Sequence, residues 1–320
     1  MKLFYSKILL FGEYGIIKNS KGLAIPYNFY KGTLKMLAEE EAKNALDGQK
    51  REEARKSNEA LSAFASHLES LSKEATPIVQ FDIARLKADI AAGMYFDSSI
   101  PQGYGVGSSG ALVAAIYSEY AINPIDAMAH LTREQLLQLR AIFGRMESFF
   151  HGTSSGLDPL NSYLSLPILI NSYDNIEPTG IPTQTPDGKG AVFLLDSGII
   201  GETAPMVHIF MENMKNEAFQ KMLKEEFIKY TDACIDDFLK GRFKSLFGNI
   251  KSLSSIVLNH FKPMIPKEFH TLWKQGIDTG DYFLKLCGSG GGGYILGFTE
   301  DLEKAKRTLA GHKLEVVYQF

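Results

Sequence analysis

The strongest constraint on this 320-residue chain is a glycine-rich stretch that leads directly into a helical pattern. Residues 101–111 have the sequence PQGYGVGSSGA, and residues 112–117 continue with the small and apolar run LVAAIY. Glycine lets the backbone reach positive φ and approach a ligand closely, while the unpaired N–H groups of a first helical turn carry about half a positive charge. A phosphate group is the expected ligand of such a loop.

Other interpretations of this loop compete with phosphate binding. Residues 105–110 satisfy the dinucleotide fingerprint GxGxxG, which requires a preceding buried strand and an acidic residue at the end of another strand about twenty residues later. Here the preceding residues alternate in polarity and end in Pro101, and Asp126 lies in a helix-like stretch. A Walker A loop would need lysine where Gly107 stands. A glycine turn made only for tight packing is the alternative without a ligand.

A second short stretch, residues 147–158, gathers two carboxylates, a histidine and several hydroxyls. Its GTSSG segment fits the nucleophile elbow GxSxG of hydrolases, but that elbow lies between a strand and a helix, and a helical repeat precedes it here. Phosphoryl transfer suits the stretch better, because it needs Mg²⁺ held by hard oxygens and a group near the acceptor hydroxyl. Glu147 could help to hold the metal and Asp158 could orient or deprotonate the hydroxyl. Taken singly, Glu147 is better explained as a surface helix residue and Asp158 as a cap of the next segment, but their combination with two glycine loops favours the catalytic roles.

A third segment, residues 288–293, places five glycines within six positions between apolar, strand-like runs. An ordinary hairpin needs one or two glycines. Each glycine costs about 1 kcal/mol in lost chain freedom relative to alanine. The loop therefore predicts a close approach of its backbone to a ligand or to the first glycine loop.

The length of the chain favours two packed domains. The Pro-, Thr- and Gly-rich segment after Asp174 predicts a boundary near Gly180, with an N-terminal domain over 1–180 and a C-terminal domain over 181–320. Hydrophobic periodicity and a capping box at Thr132 and Gln135 predict the main elements. These are strands at 8–11, 22–26 and 192–195, a solvated helix within about 36–73, a helix ending near His151, helices up to about 260, and a strand–turn–strand at 283–298.

Composition excludes several classes of partner. The formal net charge is −3 and the pI is near 6.2, so no global positive field exists to hold a nucleic acid. No apolar run approaches the roughly 18 residues of a membrane span. Cys234 and Cys287 lack metal-ligand spacing, which indicates a reducing compartment without a disulfide framework. We expect a cytoplasmic protein that binds neither nucleic acid nor membrane.

Three segments together resemble the GHMP kinase superfamily, and their order and spacing agree along nearly the whole chain. Residues 7–15 (KILLFGEYG) resemble its first motif, residues 101–111 its phosphate loop, and residues 288–293 its third motif. The mevalonate kinases are the branch that the chain resembles most. The residues that carry this finer resemblance are Glu147, His151-Gly152, Ser155 to Asp158, and Glu202 to Val207.

The resemblance implies an α/β and α+β fold of two domains, the first like domain 2 of ribosomal protein S5 and the second ferredoxin-like. It implies ATP and Mg²⁺ as cofactors, and phosphorylation of a small-molecule alcohol. Mevalonate or a similar hydroxy acid is the expected acceptor, with 5-phosphomevalonate as product. Sugar kinases, phosphomevalonate kinases and the related ATP-dependent diphosphomevalonate decarboxylase are the rival enzymes, and a nucleotide-binding regulatory protein is the rival without turnover. We expect a monomer or a homodimer.

The resemblance also implies roles for individual residues. Asp158 would be the catalytic base, Lys7 the cation that keeps it ionised, and Ser109 and Glu147 the Mg²⁺ ligands. The residues expected near the acceptor are Glu13, His151 and Thr203. Those expected around the nucleotide are Gly103, Gly105, Val106, Gly107, Ser108, Ser109, Gly110, Gly290 and Gly291.

The chain departs from the mevalonate kinase pattern at three places. Phe4-Tyr5-Ser6 precede the lysine where Ala-Pro-Gly is usual, Tyr14 stands in place of histidine, and Cys287 stands in place of threonine. These departures leave the ATP chemistry intact and the choice of acceptor open.

Overall fold

The computed structural model describes residues 2–42 and 47–320, and its contacts divide the chain into two compact units. The first unit comprises Met1–Lys7, Pro26–Ile100 and Gly107–Leu166. The second unit comprises Ile8–Ile25, Pro101–Val106 and Pro167–Phe320. The domain boundary near Gly180 stays a prediction.

The strands form two antiparallel sheets, in agreement with the predicted mixed α/β and α+β class. The strands are β1 (Phe4–Phe11), β2 (Gly22–Met36), β3 (Met94–Ser98), β4 (Ile168–Ser172), β5 (Asn175–Pro178), β6 (Ala191–Asp196), β7 (Phe283–Leu286), β8 (Tyr294–Thr299) and β9 (Leu314–Gln319). Within the described residues, one sheet has the order β1-β2-β4-β5, with β3 also pairing with β2. The other has the order β7-β8-β6-β9.

The helices are named in chain order. They are α1 (Leu37–Ala42), α2 (Gly48–Ser72), α3 (Ile83–Ala91), α4 (Ser108–Tyr120), α5 (Arg133–His151), α6 (Leu157–Leu164), α7 (Thr203–Asn213), α8 (Glu217–Met222), α9 (Ile228–Leu239), α10 (Phe243–His260), α11 (His270–Thr279) and α12 (Leu302–Thr308). No helix within residues 2–42 and 47–320 combines the length and apolar character that a bilayer crossing requires.

The predicted solvated helix within 36–73 is only partly right. Its apolar stripe is confirmed, because Leu61, Phe64, Leu68 and Leu71 are all buried on α2. The interpretation as one helix is wrong, since β2 continues to Met36 and α2 starts anew after Asp47, whose side chain accepts the N–H of residue 50. Residues 43–46, also inside the predicted helix, lie outside the described residues.

Helix α5 confirms the prediction from its capping box. The Thr132 hydroxyl accepts the N–H of Gln135 at 3.2 Å, and the Gln135 side chain accepts the N–H of Thr132 at 2.9 Å. The helix ends at His151, where Gly152 follows with φ of 74°. Local chemistry thus fixes both ends of the helix that carries Glu147, which lies on its buried face.

The second unit confirms the predicted strand at 192–195 and the strand–turn–strand at 283–298. Strand β6 pairs antiparallel with β8, and β8 pairs antiparallel with β7 across the third glycine loop. In the first unit, β3 pairs antiparallel with β2 and ends at Ser98, well before Gly105. The fingerprint at 105–110 therefore lacks the parallel strand that a dinucleotide fold places directly before it.

Candidate active site

The first unit brings Lys7 and Asp158 together as an ion pair. Lys7 lies in β1 and Asp158 in the first turn of α6, and the Lys7 Nζ to Asp158 Oδ1 distance is 2.9 Å. The Lys7 side chain is 6% exposed, whereas the Asp158 side chain is 36% exposed. A buried ammonium group thus orients a carboxylate that still reaches solvent, which is the arrangement that a group receiving a proton from a bound hydroxyl requires.

The start of helix α4 lies against this pair. Gly107 is its N-cap residue, with φ of 79° and no side-chain cap, so the first-turn N–H groups are left to other acceptors. A Cβ at Gly107 would lie 3.0 Å from Lys7 Cγ and 3.7 Å from Asp158 Oδ2. Side chains other than hydrogen would therefore push the loop away from the pair.

Helix α4 also packs tightly on the segment that carries Asp158. A Cβ at Gly110 would lie 2.8 Å from the carbonyl carbon of Asp158 and 2.8 Å from the nitrogen of Pro159. These contacts fix the position of the Asp158 backbone relative to the helix start.

A second polar group of the first unit is centred on Glu147. The Ser109 hydroxyl donates to Glu147 Oε1 at 2.9 Å, and the Ser154 hydroxyl donates to Glu147 Oε2. His151 Nε2 lies 3.1 Å from Ser109 Oγ, and because the Ser109 hydroxyl already donates to Glu147, it accepts from the ring N–H. The four side chains form one hydrogen-bonded chain that joins α4, α5 and the loop before α6.

The donor set around Glu147 suits a hard cation. The side chain is 4% exposed. Burial and then the charge of Asp158 raise the pKa of Glu147 to about 7, so a cation nearby would favour its ionised form. No cluster of three or more His, Cys, Asp or Glu that could hold a metal occurs in the described part of the chain. At a nucleotide, Mg²⁺ needs few protein ligands, because phosphates and water supply the rest. One carboxylate and one hydroxyl are therefore enough.

In the second unit, the first glycine loop approaches the third loop closely. A Cβ at Gly105 would lie 2.6 Å from the carbonyl oxygen of Cys287, and a Cβ at Gly293 would lie 2.5 Å from the Cα of Tyr104. The N–H of residue 201 donates to the Gly103 carbonyl at 3.0 Å. The predicted close approach of the third loop to the first is confirmed.

The remaining predicted residues of the third loop are held by its neighbours. The N–H of Gly291 donates to the Met264 carbonyl at 2.7 Å, and a Cβ at Gly290 would lie 2.5 Å from the same oxygen. Thr203, the first residue of α7, has its hydroxyl 3.4 Å from that of Ser289. Thr203 therefore lies beside the third loop.

Glu13 has a partner that sequence reasoning missed. Its Oε1 lies 2.6 Å from Nζ of Lys285, and the two side chains are 6% and 5% exposed. Lys285 also donates to the carbonyl of Leu286 at 2.7 Å. Both residues belong to the second unit. A lysine inside the otherwise apolar strand β7 was the signal that could have identified this pair.

Sequence reasoning also missed Arg140 and the role of Ser154. Arg140 is buried on α5, and its Nε donates to the carbonyl of Ser155 at 3.0 Å. Ser154 accepts the N–H of Gly156 at 3.0 Å while it donates to Glu147. Arg140 lies seven residues before Glu147 and hence on the same helical face. A charged residue on a buried face was the available signal.

The structure gathers the predicted site residues into two groups. The first unit holds Lys7, Gly107, Ser108, Ser109, Gly110, Glu147, His151 and Asp158. The second unit holds Glu13, Gly103, Gly105, Val106, Thr203, Gly290 and Gly291. Val106 and Gly107 are consecutive, so the glycine-rich stretch passes from the second unit into the first.

Residues 65–165 match the family model of the GHMP kinases N terminal domain. No curated protein sequence matches the chain.

The fold is similar to that of several solved kinases. The mevalonate kinase of L. major in complex with R-mevalonate has a TM-score of 0.62 at 14% identity, covering 99% of this chain and 95% of that chain. The phosphomevalonate kinase of Streptococcus pneumoniae in complex with phosphomevalonate and AMPPNP has a TM-score of 0.62 at 11% identity, covering 99% of both chains. The galactokinase of Lactococcus lactis complexed with galactose has a TM-score of 0.59 at 11% identity, covering 99% of this chain and 93% of that chain.

Proposed function

We propose that this chain transfers the γ-phosphate of ATP to a hydroxyl of a small molecule, since residues 65–165 match the family model of the GHMP kinases N terminal domain and the fold is similar to that of solved kinases. Mevalonate is the proposed acceptor and 5-phosphomevalonate the product. One observation carries the proposal. The Lys7–Asp158 pair, with its carboxylate open to solvent, lies directly against the uncapped start of α4.

The residues of the first unit divide the work of phosphoryl transfer. The N–H groups of the first turn of α4 bind phosphate oxygens, since they have no side-chain cap and carry the positive end of the helix dipole. Asp158 orients the acceptor hydroxyl and accepts its proton at a carboxylate oxygen. Lys7 holds that carboxylate in place through the bond to Oδ1. Positioning and charge stabilisation account for most of the catalysis in this class of reaction.

Ser109 and Glu147 are the proposed Mg²⁺ ligands. Their oxygens are 2.9 Å apart and are already oriented by His151 and Ser154. When bound, Mg²⁺ neutralises negative charge on the nucleotide phosphates. His151 is exposed and contacts Ser109. We therefore also propose that His151 lies near the acceptor.

The acceptor is the finer part of the proposal. It rests on the sequence resemblance to mevalonate kinases and on a fold shared with a protein solved with R-mevalonate. The similar folds of a phosphomevalonate kinase and a galactokinase show that this fold alone does not select the acceptor.

A coupled ADP-release assay over mevalonate, phosphomevalonate, diphosphomevalonate and galactose tests the proposal. We expect the highest kcat/KM with mevalonate. A preference for phosphomevalonate or galactose would keep the kinase and replace the acceptor, and CO₂ release from diphosphomevalonate would indicate the decarboxylase. ATP binding without ADP release from any acceptor would indicate a nucleotide-binding regulatory protein.

A further inference from the structure

The third glycine loop needs external support to keep one shape. Five of its glycines have positive φ, namely Gly288 at 68°, Gly290 at 78°, Gly291 at 80°, Gly292 at 156° and Gly293 at 71°. A free chain with so many glycines samples many conformations, and ordering it costs about 1 kcal/mol more per glycine than ordering alanine. Contacts from outside the loop must offset this entropy.

The residue that enters the loop is anchored by Glu13. Lys285, on the strand that leads into the loop, is bound to Glu13 at 2.6 Å and to the Leu286 carbonyl at 2.7 Å. Both charged side chains are almost fully buried, so the pair is not weakened by water. Displacing β7 from Glu13 would break an ion pair between two buried side chains, which is costly and fixes the start of the loop strongly.

The next residue, Tyr14, holds the middle of the same loop. Its hydroxyl donates to the Ser289 carbonyl at 2.6 Å, and its ring packs on Phe210 at a centroid distance of 4.7 Å and on Phe261 at 5.8 Å. Tyr14 has φ of 60°, which is unusual for a bulky side chain. Such a conformation persists only where the surroundings determine it, and it often marks a functional region.

We propose that Glu13 and Tyr14 act together as positioning residues that hold the third glycine loop in its ligand-binding shape. Glu13 acts through Lys285, and Tyr14 acts through Ser289. Glu13 then has no direct contact with the acceptor, unlike the role that its sequence motif implies. The inference rests on the proposed function, in which Gly290 and Gly291 contact the nucleotide.

Tyr14→Phe is the first test, because it removes one hydroxyl and keeps the ring. Tyr282→Phe is the matched control, since the Tyr282 hydroxyl also donates to a backbone carbonyl, that of Leu272 at 2.8 Å in the same unit. In ligand-free protein we expect amide hydrogen exchange at residues 288–293 to rise severalfold in the Tyr14 variant only. We also expect its KM for ATP to rise about fivefold, as the loss of one hydrogen bond allows, with the acceptor KM within about twofold.

Unchanged exchange at 288–293, or a rise in the acceptor KM alone, would overturn the role of Tyr14. The exchange measurement needs no turnover, so it separates this inference from the proposed function. If the proposed kinase activity is wrong, the unaltered protein itself will release no ADP while the exchange result still stands.

A double-mutant cycle tests the role of Glu13. The variants are Glu13→Gln, Lys285→Met and the double variant. If Glu13 acts only through Lys285, Glu13→Gln will raise the KM for ATP in the native background and change it little in the Lys285→Met background. A direct contact with the acceptor would instead raise the acceptor KM equally in both backgrounds, which refutes the inference. If Lys285→Met alone does not fold, Glu13→Gln is compared with the native protein: a raised KM for ATP with an unchanged acceptor KM supports the inference, and a raised acceptor KM refutes it.

Discussion

Two lysine–carboxylate pairs of nearly identical geometry lie in different environments. In the first unit, Lys7 lies 2.9 Å from Asp158, and in the second unit Lys285 lies 2.6 Å from Glu13. The two lysines are equally buried, with side-chain exposures of 6% and 5%. Their carboxylates differ, since Asp158 is 36% exposed and Glu13 is 6% exposed.

A lysine–carboxylate pair does not by itself indicate a catalytic role. The exposure of the carboxylate separates a pair that can act on a ligand from a pair that only stabilises the fold. The carboxylate of Asp158 is oriented by its lysine and can still meet a ligand. The carboxylate of Glu13 is enclosed, and its removal would leave a buried ammonium group. The predictions below exploit this contrast by making the same change at the two pairs.

The largest effect is expected at the enclosed pair. Lys285→Met removes the buried ammonium group that binds Glu13, and we expect the free energy of unfolding to fall by about 3–5 kcal/mol. Urea denaturation monitored by circular dichroism measures the loss. The double variant Glu13→Gln with Lys285→Met is the control and should recover most of the stability. Equal stability of the single variant and the native protein would show that this pair is not enclosed as described.

At the open pair, Asp158→Asn should lower kcat by roughly 10² or more, the scale of lost general-base catalysis. Stability should change little, because a third of this side chain already meets solvent. Steady-state kinetics with a parallel melting curve gives both quantities. Near-normal turnover would remove Asp158 from its assigned role.

Lys7→Met repeats the lysine substitution at the open pair. We expect kcat to fall about tenfold, as the loss of one hydrogen bond to a charged group allows. The free energy of unfolding should fall by about 1 kcal/mol or less, since Asp158 can be solvated. The same substitution should therefore lower mainly kcat at Lys7 and mainly the free energy of unfolding at Lys285. Matching stability losses at the two sites would break the contrast.

A smaller effect is expected from the hydroxyl that orients Glu147. Ser154→Ala removes the bond to Glu147 Oε2, whereas Ser155→Ala is a matched control because the neighbouring Ser155 hydroxyl accepts the N–H of Leu157, at 3.4 Å. We expect Ser154→Ala to weaken metal binding about fivefold in the presence of ATP, measured by titration with Mn²⁺ and electron paramagnetic resonance. If both alanine variants weaken metal binding equally, the effect comes from a change in the loop and not from the lost hydrogen bond to Glu147.

Features fixed by short stretches of sequence could be predicted. Helix α5 was located at both ends, because its capping residues Thr132 and Gln135 lie three positions apart and Gly152 stops it. The glycine loops were located for the same reason, since positive φ is a local property that few residues besides glycine tolerate. Their mutual approach followed from the cost of so many glycines.

Features that depend on distant partners could not be predicted. Lys285 lies 272 positions from Glu13, and the sequence around either residue does not indicate its partner. The second strand is predicted only over the apolar run at 22–26, whereas β2 extends to Met36. In the structure Pro26 lies between the segment that pairs with β4, up to Ala24, and the one that pairs with β3, from Gly32. Ser154 was missed because its motif suggested a nucleophile, while its actual partner lies on α5.

Gly110 has a consequence for how this sequence can evolve. Its missing side chain faces the backbone of Asp158 and Pro159 at 2.8 Å, so even one methyl group would have to displace main-chain atoms and not a movable side chain. The fold tolerates wholesale replacement elsewhere, since it persists at 14% identity to a solved kinase. We expect position 110 not to tolerate a residue larger than glycine. A lineage that lost this glycine would have to move the backbone at residues 158 and 159, because main-chain atoms form the nearest obstacle.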